Sequence, residues 1–162
     1  MMQYLAPILL LAYSFPTYYD VEQQYNATVI IDKAKQIQED PYFLVALAWV
    51  ESRIKANRVS NTGDYGIFQI NYRFWGKRWG FKDRTKFLKA MSDPSHGVVA
   101  AVVVLKEMRR YSSCKELNLP ACYNGGPGWQ KSKNKKKIVA YANRVNAMRQ
   151  VLIARYPGWA KP

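Results

Sequence analysis

Acid is what this chain of 162 residues lacks: 11 Asp and Glu stand against 25 Lys and Arg, a formal net charge of +14. The shortage is uneven, because nothing after Glu116 is acidic while the same stretch carries Lys131, Lys133, Lys135, Lys136, Lys137, Arg144, Arg149, Arg155 and Lys161. A C-terminal third of that composition seeks anions. Nucleic-acid phosphates, acidic lipid and the carboxylates and phosphates of a cell envelope all qualify on charge alone, and the bland alternative is a solvated basic face. The run from Lys131 to Lys137 has no interleaved aromatics and no recognised nucleic-acid motif occurs, which argues against a specific nucleic-acid partner.

Metal ligands are equally scarce. One His and two Cys do not make a structural zinc site, so neither a metal nor a cofactor is expected. Cys114 and Cys122 stand eight apart with Pro120 between them, and they are either bridged, if the protein is exported, or two free thiols. His96 has no partner motif and reads as a surface residue.

Long apolar runs are missing too. Leu5 to Ala12 is too short to span a bilayer. It reads as a signal peptide with Ala12-Tyr13-Ser14 as a small-residue cleavage site, although Met1-Met2-Gln3 lacks the usual basic flank, or else as an N-terminal arm packed on the domain. The organisation expected is an N-terminal segment over 1–20 and one domain over 21–162 whose C-terminal region is basic. With 49% apolar and 22% charged residues, that domain is globular rather than disordered. No internal repeat is present.

What is there is helical. Ile30, Ala34 and Ile37 recur at helical spacing. Asp40 and Pro41 supply an N-cap and a first-turn proline for an apolar run from Tyr42 to Val50, and Asp93-Pro94 does the same for a body from Val98 to Met108. A last helix runs from about Ile138 to Ile153. The run Val98 to Val104 suits a buried strand by composition, but the capped start and the length favour helix. Between Arg53 and Lys82 the chain is rich in Gly, Asn and aromatics and reads as loop, short hairpin or broken helix. A second loop is expected from Asn118 to Lys133, around Gly125-Gly126-Pro127-Gly128.

One carboxylate stands out. Glu51 follows the apolar run on the stripe that carries Leu44, Leu47 and Ala48, so it points inward. Burial and the negative end of the helix dipole both disfavour its charged form, which raises its pKa toward the range a general acid needs near neutral pH.

Taken in order, Glu51-Ser52, Ser60 and Gly63 leading into Gly66-Ile67-Phe68-Gln69, then Cys122-Tyr123-Asn124-Gly125-Gly126, then Tyr141, resemble the lytic transglycosylases related to the soluble lytic transglycosylase and goose-type lysozyme. The chain is also similar to peptidoglycan hydrolases of phages and secretion systems. The resemblance extends from about Val29 to Met148 and includes the Asp93-Pro94 helix start. It implies a mainly α, lysozyme-like fold of the α+β lysozyme superfamily with a very small or absent β-hairpin, acting as a monomeric catalytic domain without cofactor. Glu51 is implied as the acid and base, with Ser52, Gln69 and Tyr141 around it. Ser60, Phe68, Gln69, Tyr123 and Asn124 are implied to line the subsite of an N-acetylated sugar. The implied substrate is peptidoglycan, cut between N-acetylmuramic acid and N-acetylglucosamine to leave a 1,6-anhydromuramoyl end. Two departures stand: Cys122 and Gly125 replace the usual alanines, and Lys137-Ile138 stands where Glu-Thr usually precedes the last tyrosine.

Asp64 is ambiguous. Asp64-Tyr65-Gly66-Ile67-Phe68-Gln69-Ile70-Asn71 followed by Arg73-Phe74-Trp75 also resembles the chicken-type lysozyme segment, where an Asp at this place assists hydrolysis. A loop Asp before a tight turn is otherwise a turn former. Tyr72, Phe74, Trp75, Trp79 and Trp129 are sugar-stacking platforms or core. Outside the enzyme class, the alternative is a non-catalytic glycan-binding component of a virion or secretion apparatus. The setting expected is a periplasm, a cell envelope or a phage particle, with virion or secretion or conjugation components and the anionic envelope as partners.

Overall fold

The computed structural model describes residues 20–159, so the expectations for Leu5 to Ala12 and for the Ala12-Tyr13-Ser14 site lie outside the described residues, as does Lys161. The helices are α1 Val21–Gln36, α2 Pro41–Ser52, α3 Arg84–Met91, α4 Pro94–Met108, α5 Leu119–Gly125 and α6 Lys135–Arg155. The sheet among these residues is the hairpin of β1 Asp64–Tyr65 and β2 Ile70–Asn71, antiparallel with Asp64 opposite Asn71 and Tyr65 opposite Ile70. The fold is therefore mainly α with a very small hairpin, as expected.

The scarce acids are spent on architecture. Asp20, Asp40, Asp83 and Asp93 each cap the helix that follows by accepting from a first-turn backbone N–H, an arrangement worth about 1 kcal/mol apiece. Glu39 takes both guanidinium nitrogens of Arg109 at 2.8 and 2.9 Å, and Glu22 accepts from the Ala56 amide.

α2 is the central helix. Every residue from Pro41 to Trp49 is buried, because the run is apolar on all sides and must be enclosed on all sides. α1 and α6 pack along it, while α4 packs against α1, α3 and α5. The Tyr42 hydroxyl donates to the Tyr156 carbonyl, Trp159 stacks between both tyrosine rings, and Arg149 holds Asp40. The start of α2 is thereby clamped to the end of α6, and the opposite end presents Glu51. There Arg53, the C-cap, is left-handed and Ile54 also has a positive φ of 61°, which stops the helix at Ser52.

Two expectations need correction. The stretch taken as a loop from Asn118 to Lys133 contains α5, because Pro120 is tolerated in a first turn and only Gly126, at φ 75°, ends the helix. The last helix begins at Lys135, before the expected Ile138. Cys114 and Cys122 are bonded, with Cα atoms 5.6 Å apart, and tie the turn after α4 to α5.

Candidate active site

The cleft lies between the end of α2, the hairpin and α5, with a volume of about 660 Å³. Of the residues singled out from sequence, Glu51, Ser60, Asp64, Gln69, Tyr123 and Asn124 line it together. They come from three separate segments, and each is aimed by a local device.

Glu51 is brought to the floor by α2. Burial pushes its carboxyl up from 4.5 to about 7; the charge of Asp64 adds to the rise, while the Tyr141 hydroxyl and the charge of Arg144 oppose it. Tyr141, buried on α6, donates its hydroxyl to Glu51 Oε1 at 2.5 Å. Burial and the Glu51 charge hold its phenol well above the ordinary tyrosine range, so it remains a donor. Tyr141 therefore touches the candidate acid rather than lining the cleft. In a Tyr141→Phe variant the carboxylate loses its donor, and the Glu51 titration followed by carbon NMR should move upward from about 7. A downward move would contradict this placement.

Both oxygens of Asp64 are engaged by the hairpin and its turn. Its Oδ2 accepts from the Ser60 and Thr62 hydroxyls, each at 2.5 Å, and its Oδ1 accepts from Asn71 Nδ2 at 2.8 Å, the residue directly across the hairpin. Three donors fix both oxygens and tie the 60–64 turn to β2. Gln69, at φ 47°, donates its amide nitrogen to the carbonyls of Gly66 and Arg58, and its side chain lines the cleft. Tyr123 donates to the Phe68 carbonyl at 2.7 Å, joining α5 to the hairpin loop across the cleft. Asn124 is exposed beside it.

Two implied substrate contacts sit beneath the cleft instead. Ser52 is buried and its hydroxyl donates to the Ile67 carbonyl at 2.7 Å while accepting from the Lys55 amide, so it fastens the end of α2 to the hairpin loop. The Phe68 ring is fully buried, and the residue contributes its carbonyl, not its face. Among the aromatics, Phe74 and Trp75 line the cleft, edge to face at 4.9 Å. Tyr72 packs on Phe87, Trp129 is buried, and Trp79 faces a different depression.

Sequence reading missed Thr62, Asn71, Val104 and Met108 as lining residues. The hairpin register would have found Asn71, since it stands opposite Asp64. Val104 and Met108 carried no such signal, because they read as core on α4.

No group of three or more metal-ligating side chains occurs among the described residues. The arrangement suits proton transfer in a pocket that holds a polar, ring-shaped ligand by neutral hydrogen bonds and aromatic contact. The family model described as Transglycosylase SLT domain matches residues 28–145. No curated protein and no solved structure matches the chain.

Proposed function

The chain belongs to the transglycosylase SLT domain family and is a peptidoglycan lytic transglycosylase, and from that premise we propose that Glu51 alone serves as its acid and base. The observation that carries this reading is the contrast between two carboxyls in one cleft: Glu51 is raised to about 7, whereas Asp64 has both oxygens taken by Ser60, Thr62 and Asn71.

In this reading the Glu51 carboxylic acid gives its proton to the oxygen between N-acetylmuramic acid and N-acetylglucosamine as the bond to C1 breaks. The positive charge at C1 is met by the sugar's own acetamido oxygen, so no protein nucleophile is needed. The Glu51 carboxylate, steadied by Tyr141, then takes the proton of the muramoyl C6 hydroxyl, whose oxygen closes on C1. The acid is regenerated, no water is consumed and a 1,6-anhydro end results. Gln69, Asn124 and Tyr123 orient the N-acetylated sugar, and Phe74 and Trp75 offer it a flat face.

The use proposed is local opening of the wall by a phage or an envelope-spanning apparatus, in a periplasm, at the cell envelope or from a virion. The basic C-terminal region would concentrate the enzyme on anionic envelope, and the disulfide suits an oxidising compartment.

A second reading has an observation of its own. Asp64 lines the same cleft and its charge acts on Glu51, as a second carboxylate would in a hydrolase. The Asp64→Asn variant separates the two. As a hairpin residue, Asp64 should cost about 1–2 kcal/mol of stability when changed, with activity falling less than about tenfold. A loss of about a thousandfold or more with unchanged melting would make Asp64 catalytic instead.

A further inference from the structure

Away from the catalytic cleft, a second depression of about 300 Å³ opens beside α4 and is lined mainly by apolar side chains, among them Trp79, Phe81, Met91, Val99 and Val103, with His96, which pairs with Asp93 at 3.2 Å, as its one polar side chain. Val99 and Val103 are each 43% exposed, one helical turn apart on a face of α4 whose other sides are core. Val99 and Val103 thus stand open to water at the edge of an apolar hollow, where a ligand's apolar end could be received.

Its surroundings are basic. Lys106 continues the Val99 and Val103 stripe, Lys86 and Lys89 share the α3 face with Ala90, Lys82 follows Phe81, and Lys77 stands two residues before Trp79; all five are exposed. The acids of the same region are engaged elsewhere. Asp83 and Asp93 cap α3 and α4, and Glu107 pairs with Arg78 and Arg110. Among the described residues none of these five lysines has an ion-pair partner.

We propose that this face docks the protein on an anionic phospholipid surface, the hollow receiving an acyl-chain segment and the lysines the headgroup phosphates. An apolar hollow with exposed lysines on the segments that line it matches the two halves of one amphiphile. A partner helix would need a long groove with anchors at successive turns, which a single depression does not supply, and nucleic acid would use the lysines but leave the hollow wet. The geometry also leaves the enzyme free to work. Val104 and Met108 of the same helix face the catalytic cleft, so docking through Val99 and Val103 keeps that cleft off the membrane and open to strands beside it. The inference does not rest on the reading of the cleft.

The test is flotation with vesicles of phosphatidylglycerol and phosphatidylcholine in equal parts, against phosphatidylcholine alone, with cleavage of soluble glycan strands measured alongside. Parent protein should float with the anionic vesicles only. Val99→Asp/Val103→Asp should reduce that partition about tenfold or more, since two apolar contacts become two charges in a lipid interface, while glycan cleavage stays unchanged. Lys82→Glu/Lys106→Glu, which touches no core residue, should lower it by a similar factor and guards against a folding defect in the valine pair. Lys135→Gln/Lys136→Gln/Lys137→Gln on α6 removes part of the general attraction of the basic C-terminal region but leaves the hollow and its neighbouring lysines intact, so it should lower partition less than either of those pairs. Equal partition of the valine variant and the parent would overturn the proposal. So would loss confined to the α6 variant, or a parent that ignores anionic vesicles yet binds an acidic helical peptide.

Discussion

Glu51→Gln should abolish wall lysis, lowering turnover by about a thousandfold or more, while the protein stays folded and still sediments with peptidoglycan. The amide has the shape of the acid and can accept from Tyr141, but it has no proton to give. The same variant carries a stability signature. Folding raises the Glu51 pKa from 4.5 to about 7, so the native state keeps a proton that the unfolded chain releases across that window. Stability conferred on the parent is thus intact below about 4.5 and falls as pH rises toward 7. At pH 8 the glutamine variant should be the more stable protein, by up to ~3 kcal/mol, and the difference should vanish in acid. A variant that loses activity and stability together at pH 8 would mean that Glu51 is structural. One that keeps lysing would show that another group supplies the proton, and a parent that binds the wall without lysing it would return the protein to the class of glycan-binding components.

Gly66→Ala should be the most damaging small substitution for the fold. Gly66 has φ 78°, and a Cβ there would meet the Met91 carbonyl oxygen at 2.0 Å and its carbon at 2.8 Å. Backbone cannot swing aside as a side chain can, so the hairpin must lift off the junction of α3 and α4. That junction sets Gln69 and the Phe68 carbonyl, and the cost should exceed about 4 kcal/mol, enough to lose the folded state at ordinary temperature. Gly126→Ala is the control. At φ 75° and ψ 174° but with nothing within 4 Å of the added carbon, it should cost about 1–3 kcal/mol, all of it backbone strain. If thermal melts put the two variants at equal cost, close approach is not what Gly66 is for.

Elements with chemical boundary marks were legible in the chain. Asp40-Pro41 and Asp93-Pro94 announce α2 and α4, and both helices begin where the cap chemistry places them. α3 escaped notice although Asp83 caps it, because no proline follows that Asp and its eight residues bury only Phe87 and Met91, too short a stripe to register. α5 escaped because Gly125 and Gly126 read as loop, though they end a helix rather than interrupt one.

The site divides on the same lines. Glu51, Ser60, Asp64, Gln69, Tyr123 and Asn124 meet in one cleft. Ser52 and Phe68 belong to the same sequence pattern yet serve from below, one through a buried hydroxyl and one through a backbone carbonyl. A pattern of letters marks positions that matter without telling which atom matters, and a carbonyl is common to every residue. Trp79 shows the converse, since an aromatic near the site in sequence turns to another face once the π-helical turn Tyr72–Gly76 redirects the chain.

Digesting purified peptidoglycan with the protein and weighing the released muropeptides tests the role given to Glu51 most directly. Acid and base work by one carboxyl, without water, requires 1,6-anhydromuramoyl ends. Reducing ends would contradict it, and would move Asp64 from the hairpin into the chemistry.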